Sequence, residues 1–196
     1  MADKIRENPD TATLLASLKQ LPEPQVKPVL VVVSGLPGTG KSYFCRRLAS
    51  RFPLLILESD ALRKALFSIP THAEEESTRL FAAIHGLIAK LLSKGIPLAL
   101  DATNLEERNR EQLYKIAERA GAKLIIVRVE ASPELVRQRL EERKRSPERA
   151  DSSDADWTVY ERMQTMAQKI SRPHFVVNTS SDIEPVLRKV LREMRK

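Results

Sequence analysis

Three observations predict an α/β fold built on a five-stranded parallel sheet. Short β-branched or leucine-rich runs alternate with longer stretches of helical period. Five such runs occur, "VLVVVS", "LLILES", "IPLALD", "KLIIVRVE" and "HFVVN", and strands separated by helices pair in parallel. The first run breaks into glycines, a lysine and a serine before a helical pattern, the local order of a phosphate-binding turn.

Before the first strand, residues 1–27 read as an extension with a short amphipathic piece, "ATLLASLKQL", and an extended proline linker, "PEPQVKP". Residues 28–196 then form the main domain. Between the second and third strands, Thr71 and Glu74 suggest a capping box ahead of the apolar face Leu80, Ile84, Leu87, Ile88 and Leu91. Gly95 and Pro97 stop that helix. Asn104 with Glu107, Ser132 with Pro133 and Ser181 with Glu184 mark three further helix starts. Trp157, Tyr160, Met163 and Ile170 read as the apolar face of a helix packed on the core.

Composition limits the function classes. Of 196 residues, 42% are hydrophobic and 30% charged, and no apolar stretch approaches the roughly 18 residues of a membrane span. The N-terminal "MADKIRENPD" lacks the basic and then apolar blocks of a secretory signal, so a cytoplasmic protein without a membrane partner is expected. The single cysteine, Cys45, reads as a packed thiol, and His72, His85 and His174 have no ligand spacing. Lys plus Arg outnumber Asp plus Glu by 33 to 26, a balance of +7 that suits anionic ligands without choosing among them.

The stretch Gly35, Leu36, Pro37, Gly38, Thr39, Gly40, Lys41, Ser42, Tyr43 is more specific. A strand ending in Gly-x-x-x-x-Gly-Lys-Ser and continuing as a helix turns successive backbone N–H groups toward a phosphate chain at a helix N-terminus. Lys41 reaches the β- and γ-phosphates, and the Ser42 hydroxyl ligates the Mg2+ that accompanies ATP, with GTP equally open. A dinucleotide-binding turn requires glycine or alanine where Tyr43 stands.

Ligands collect beyond the carboxyl ends of parallel strands. There the second strand ends in Glu58, Ser59 and Asp60, the third in Asp101, Thr103 and Asn104, and the fifth in Asn178 and Thr179. Asp60 begins a helix with Arg63 one turn on, so its carboxylate is placed to accept the proton of an attacking hydroxyl, and Arg63 to hold an acceptor. Asp101 is placed as the second carboxylate of such a site. Arg139 and Arg143 are four apart on one helix face, in a stretch rich in arginine, and suit a lid that neutralises a moving phosphoryl group.

In order and spacing, "GLPGTGKS", "SDALRK", "DATNLEERNR" and "RQRLEERKR" with "ADSSDAD" resemble the P-loop kinases that group with the kinase domain of 5′-hydroxyl polynucleotide kinases and with zeta toxins, over roughly residues 28–180. The resemblance implies a P-loop NTPase three-layer sandwich with sheet order 2-3-1-4-5 and helices on both faces. It implies an acceptor segment at about 60–95 and a helical lid at about 137–157. By position it implies Lys41 and Ser42 on the phosphates and Mg2+, Asp60 as general base, Arg63, Asp101 and Asn104 at the acceptor, and Arg139 or Arg143 as the lid arginine. The expected activity is transfer of the γ-phosphate of Mg-ATP to a hydroxyl, either of a small molecule or of a nucleic-acid 5′ end. Aromatics at 5% argue against a long nucleic-acid track. The alternative is a nucleotide-dependent switch with slow ATPase activity.

Overall fold

The computed structural model describes residues 8–145 and 155–196. Five strands form one parallel sheet: β1 (Val29–Ser34), β2 (Leu55–Glu58), β3 (Leu98–Asp101), β4 (Lys123–Glu130) and β5 (Phe175–Asn178), in the order β2-β3-β1-β4-β5. This is the order the resemblance implies. The helices are α1 (Pro9–Ser17), α2 (Lys41–Ala49), α3 (Ser59–Leu66), α4 (Glu74–Ser93), α5 (Glu107–Arg119), α6 (Pro133–Arg145), α7 (Trp157–Met166) and α8 (Glu184–Met194).

The central strand shows why its sequence is apolar throughout. Every residue of β1 is buried, and successive side chains face opposite layers. Leu30 and Val32 join Leu57, Leu98 and Leu100 against α4 and α5, together with Leu14 of α1. Val29, Val31 and Val33 join Ile125, Val127 and Val177 against Phe44, Cys45 and Leu48 of α2 and Leu187 and Val190 of α8. Cys45 is accordingly the packed thiol expected, and burial pushes its pKa well up. At about 1.5–3 kcal/mol for each fully buried large aliphatic side chain, these two layers fix the sheet and hence the loops at its carboxyl edge. None of the described helices is long and apolar enough to cross a membrane.

From residue 8 on, the N-terminal extension is built onto the domain. Thr11 donates to the Ala83 carbonyl (3.2 Å) and Arg79 holds Asp10 through two hydrogen bonds of 2.6 and 2.7 Å, so α1 lies along α4. The linker follows in extended form, with Gln25 N–H donating to the Gly95 carbonyl at 2.7 Å.

Three expected caps differ from the structure. Ala73, without a side-chain bond, precedes α4, and Thr71 instead bonds Glu76. The α5 helix starts after Glu106, because the Asn104 amide is used elsewhere. Ahead of α8, Asp182 accepts from Glu184 N–H in the place assigned to Ser181. Ser132 does cap α6, accepting from Leu135 N–H at 3.4 Å. Ile170 lies beyond the end of α7 and packs with Tyr114 and Ile126, while Met163 faces the cavity described next.

Candidate active site

The turn after β1 departs from ordinary backbone where the sequence has glycine. Gly40 caps α2 in the left-handed conformation, φ 92°, where a β-carbon is strained. At Gly35 a β-carbon would lie 2.3 Å from the Val129 carbonyl oxygen of the neighbouring strand, so no other residue fits. The result is a backbone cradle opening at the N-terminus of a nine-residue helix. Thr39 closes it from beneath, its hydroxyl donating to the Leu36 carbonyl (2.8 Å). Lys41 Nζ donates to the same carbonyl at 3.0 Å. Desolvation lowers the Lys41 pKa below the ordinary lysine value, while Asp101 and Asp60 act against the shift. The ammonium thus already stands in a field of carboxylates.

A cavity of about 950 Å³ opens beside this turn. Its lining brings together Gly38, Gly40, Lys41, Ser42 and Tyr43 from the turn, Asp60 and Arg63 from α3, Asp101 from the end of β3, and Arg139 and Arg143 from α6. Topology accounts for the convergence: β2 runs directly into α3, and Glu58 is the register partner of Asp101 on β3, so Glu58, Asp60 and Asp101 emerge along one sheet edge. Asp101 is buried. Arg139 lies across the turn, donating to the Thr179 hydroxyl (2.8 Å), the Thr179 carbonyl (3.2 Å) and the Gly38 carbonyl (3.3 Å). The Thr179 hydroxyl in turn donates to the Thr39 carbonyl at 2.6 Å. Burial holds the Arg139 pKa below its usual value. The helix that carries Arg143 is therefore fastened to the phosphate-binding turn. Residues 146–154, the middle of the expected lid with most of "ADSSDAD", lie outside the described residues.

Asn104, expected at the acceptor, does not line this cavity. Its residue is buried at φ 45°, its amide donates to the Val33 carbonyl (2.7 Å), and it is absent from the cavity wall. The same position receives a side chain that sequence reading missed. Arg110, fully buried, donates to the Glu107 carboxylate (2.6 Å), the Asn104 carbonyl (2.5 Å) and the carbonyls of Gln168 and Lys169 (3.0 and 2.9 Å). It joins the loop after β3 to the chain leaving α7. A signal was present: Arg110 falls in the helical spacing of the buried Leu113, Tyr114 and Ala117, a position where an arginine must find partners. Glu76 was missed as well, since its partner Arg63 is on another helix.

Among the described residues no group of three or more His, Cys, Asp or Glu could cage a metal ion. The Ser42 hydroxyl and the Asp101 carboxylate line the same cavity, the hydroxyl and carboxylate chemistry that a hydrated Mg2+ on a nucleotide would take. The glycines are required by packing, since a β-carbon at Gly38 would lie 2.9 Å from Val136 and one at Gly40 3.1 Å from Thr179, and the turn they permit ends at the N-terminus of α2, where backbone N–H groups suit a phosphate chain.

Fold and turn together define a P-loop nucleotide-binding protein of the kinase-like group. The family model AAA_33, described as an AAA domain, matches residues 30–170, and the chain belongs to that family. Solved structures of similar fold include a putative kinase from Chloroflexus aurantiacus, 23% identical at a TM-score of 0.65, the match covering 85% of this chain and 98% of that one. Chaetomium thermophilum Kti12, in complex with ADP-AlF3, is 24% identical at a TM-score of 0.64 over 85% and 97%. The Mycobacterium tuberculosis APS kinase CysC, in complex with AMPPNP and APS, is 18% identical at 0.64 over 89% and 100%.

Proposed function

We propose that the protein is a kinase that transfers the γ-phosphate of ATP to an acceptor hydroxyl. The observation that carries this reading is one cavity lined at once by Lys41, Asp60, Arg139 and Arg143. In the proposed reaction the Asp60 carboxylate takes the acceptor O–H proton, and the oxygen forms a bond to the γ-phosphorus. The bond from that phosphorus to the β–γ bridging oxygen breaks, and ADP leaves with the electron pair. Lys41 and the backbone cradle hold the β- and γ-phosphates, and Arg143 and Arg139 offset charge on the phosphoryl group in flight. Bound with the nucleotide, Mg2+ supplies further charge neutralisation; Ser42 and Asp101 are the residues placed to hold it. Arg63 faces the acceptor from the first helix of the wall. GTP fits the same phosphate contacts.

The test is transfer from labelled ATP to small hydroxyl compounds and to 5′-hydroxyl oligonucleotides at two salt concentrations. Each neutralised phosphate of a strand releases counterions and steepens the salt dependence. Among the described residues the acceptor side of the cavity wall supplies Arg63 and no long aromatic groove, so transfer with a shallow salt slope is expected. Preference for long strands with a KM rising steeply with salt overturns the small footprint. ATP hydrolysis with no transfer to any acceptor favours a nucleotide-dependent switch.

A further inference from the structure

The acceptor wall carries information on what the hydroxyl is attached to. Arg63 is only 7% exposed, yet it lines the cavity three residues after Asp60. One of its terminal nitrogens bonds the Glu76 carboxylate on the first turn of α4, and the other donates to the Ser77 hydroxyl at 3.2 Å. Both partners of the ion pair have side chains 8% exposed, so water does little to screen them. The Glu76 carboxylate also accepts from the Thr71 N–H (2.7 Å), the Thr71 hydroxyl (2.8 Å) and the His72 N–H (3.2 Å). These bonds, that from the Thr71 N–H foremost, bring its pKa down to about 2, and the carboxylate is ionised at any working pH.

A guanidinium attracts a phosphate or carboxylate strongly when its charge has no counter-ion, and weakly when a fixed carboxylate already provides one. Glu76 is such a carboxylate. The other charges on this side repeat the sign: Glu58, Asp60 and Asp101 all line the cavity. Among the described residues the facing cations are Lys41, Arg139 and Arg143, which belong to the phosphate-binding turn and α6, and Arg162 on the exposed side of α7. His72 stands at the rim.

We infer that Glu76 sets the acceptor class: by occupying Arg63 it makes this wall a site for an uncharged hydroxyl compound, such as a polyol, a sugar or a nucleoside. Acceptors with a phosphate or carboxylate beside the reactive hydroxyl are disfavoured. The inference rests on the kinase reading for the word acceptor, while the charge of the wall is measurable without it. Of the five N–H groups of Arg63, those not committed to Glu76 and Ser77 leave it a hydrogen-bond donor to hydroxyls without a net positive charge.

Inorganic phosphate is the probe. With the full chain saturated by magnesium and a non-hydrolysable ATP analogue, so that the phosphate-binding turn is filled, phosphate is titrated by calorimetry into the wild type, Glu76→Gln, Arg63→Gln and the double variant. Glu76→Gln should bind phosphate at least ~10-fold more tightly than the wild type, the double variant should lose that gain, and Arg63→Gln alone, which leaves the Glu76 carboxylate without its counter-ion, should bind phosphate no more tightly than the wild type. A parallel transfer assay compares adenosine with adenosine 3′-phosphate, and sugars with sugar phosphates. The wild type should prefer the neutral member of each pair, and Glu76→Gln should move the ratio of kcat/KM toward the anionic member by ~10-fold or more. Wild-type phosphate binding as tight as that of Glu76→Gln, or wild-type phosphate affinity that falls in the double variant, whose net charge equals that of the wild type, overturns the inference. The second criterion holds even where Glu76→Gln does not fold. Absence of transfer to every acceptor, with the phosphate titrations as expected, defeats the kinase reading and leaves the charge assignment standing.

Discussion

The two walls of the cavity are held in different ways. On the side proposed to face the acceptor, α3 and α4 are joined by the buried Arg63–Glu76 pair, and α4 is braced from behind by α1 through Thr11, Asp10 and the buried Leu14. On the side of the proposed lid, α6 meets the phosphate-binding turn chiefly through the polar contacts of Arg139 and a small cluster of Val136, Leu140 and Tyr160. The chain that leaves α7 is pinned by Arg110. One wall is packed into the main core, and the other rests on the hydrogen bonds of Arg139 and a small apolar cluster of its own. Selection of an acceptor needs a shape fixed beforehand, whereas enclosure of a phosphoryl group needs an arginine that can change partners.

The largest expected effect lies where both walls meet. Lys41→Ala removes the main cation on the β- and γ-phosphates; turnover should fall by ~10³-fold or more, with weaker nucleotide binding in equilibrium titration. Normal turnover in that variant would end the comparison, since neither wall would then face a phosphate. On the lid side, Arg139→Ala and Arg143→Ala should lower kcat by ~10–100-fold and raise the nucleotide KM less than that, because their charge acts mainly in the transition state. An equal loss in KM with kcat unchanged would make both arginines part of the resting wall.

Stability separates the walls further. Arg110→Met leaves the carbonyls of Gln168 and Lys169 without their donor and takes one donor from the Glu107 carboxylate and the Asn104 carbonyl, which keep Ser171 and Ser34, and unfolding in urea should show a loss of about 3–5 kcal/mol. A change below 1 kcal/mol would mean that the lid root is held by something other than Arg110. Asp10→Ala on the acceptor side should cost only about 0.2–1 kcal/mol, as Arg79 is 59% exposed. A much larger loss would assign to α1 a greater part in bracing α4 than its contacts indicate.

How far the sequence discloses each wall follows from the range of the interactions. The sheet was legible because five apolar runs are local patterns, and the phosphate-binding turn because its glycines and lysine stand at fixed spacing. Lys41, Asp60, Asp101, Arg139 and Arg143 do line one cavity. Helix starts were less legible: Thr71, Asn104 and Ser181 have capping chemistry, but each hydroxyl or amide had a competing partner, and for Asn104 that partner is a carbonyl on another strand. Glu76 reads as one of three acids in a first helical turn, a common dipole-compensating arrangement, and only the packing of α3 against α4 shows it to be the counter-ion of Arg63. Arg110 could have been found from its place on an apolar stripe, and its partners at Gln168 and Lys169 could not, since they come from beyond the far end of α7.

The central claim, that this cavity is a site of phosphoryl transfer with Asp60 as the base, is tested most directly by single-turnover transfer in Asp60→Asn, with nucleotide affinity measured on the same sample. The amide keeps the shape and removes the proton acceptor. The account predicts unchanged affinity for Mg-ATP and a rate of transfer lower by at least ~10²-fold. Transfer at the wild-type rate would contradict it and reduce Asp60 to a residue of the first turn of α3.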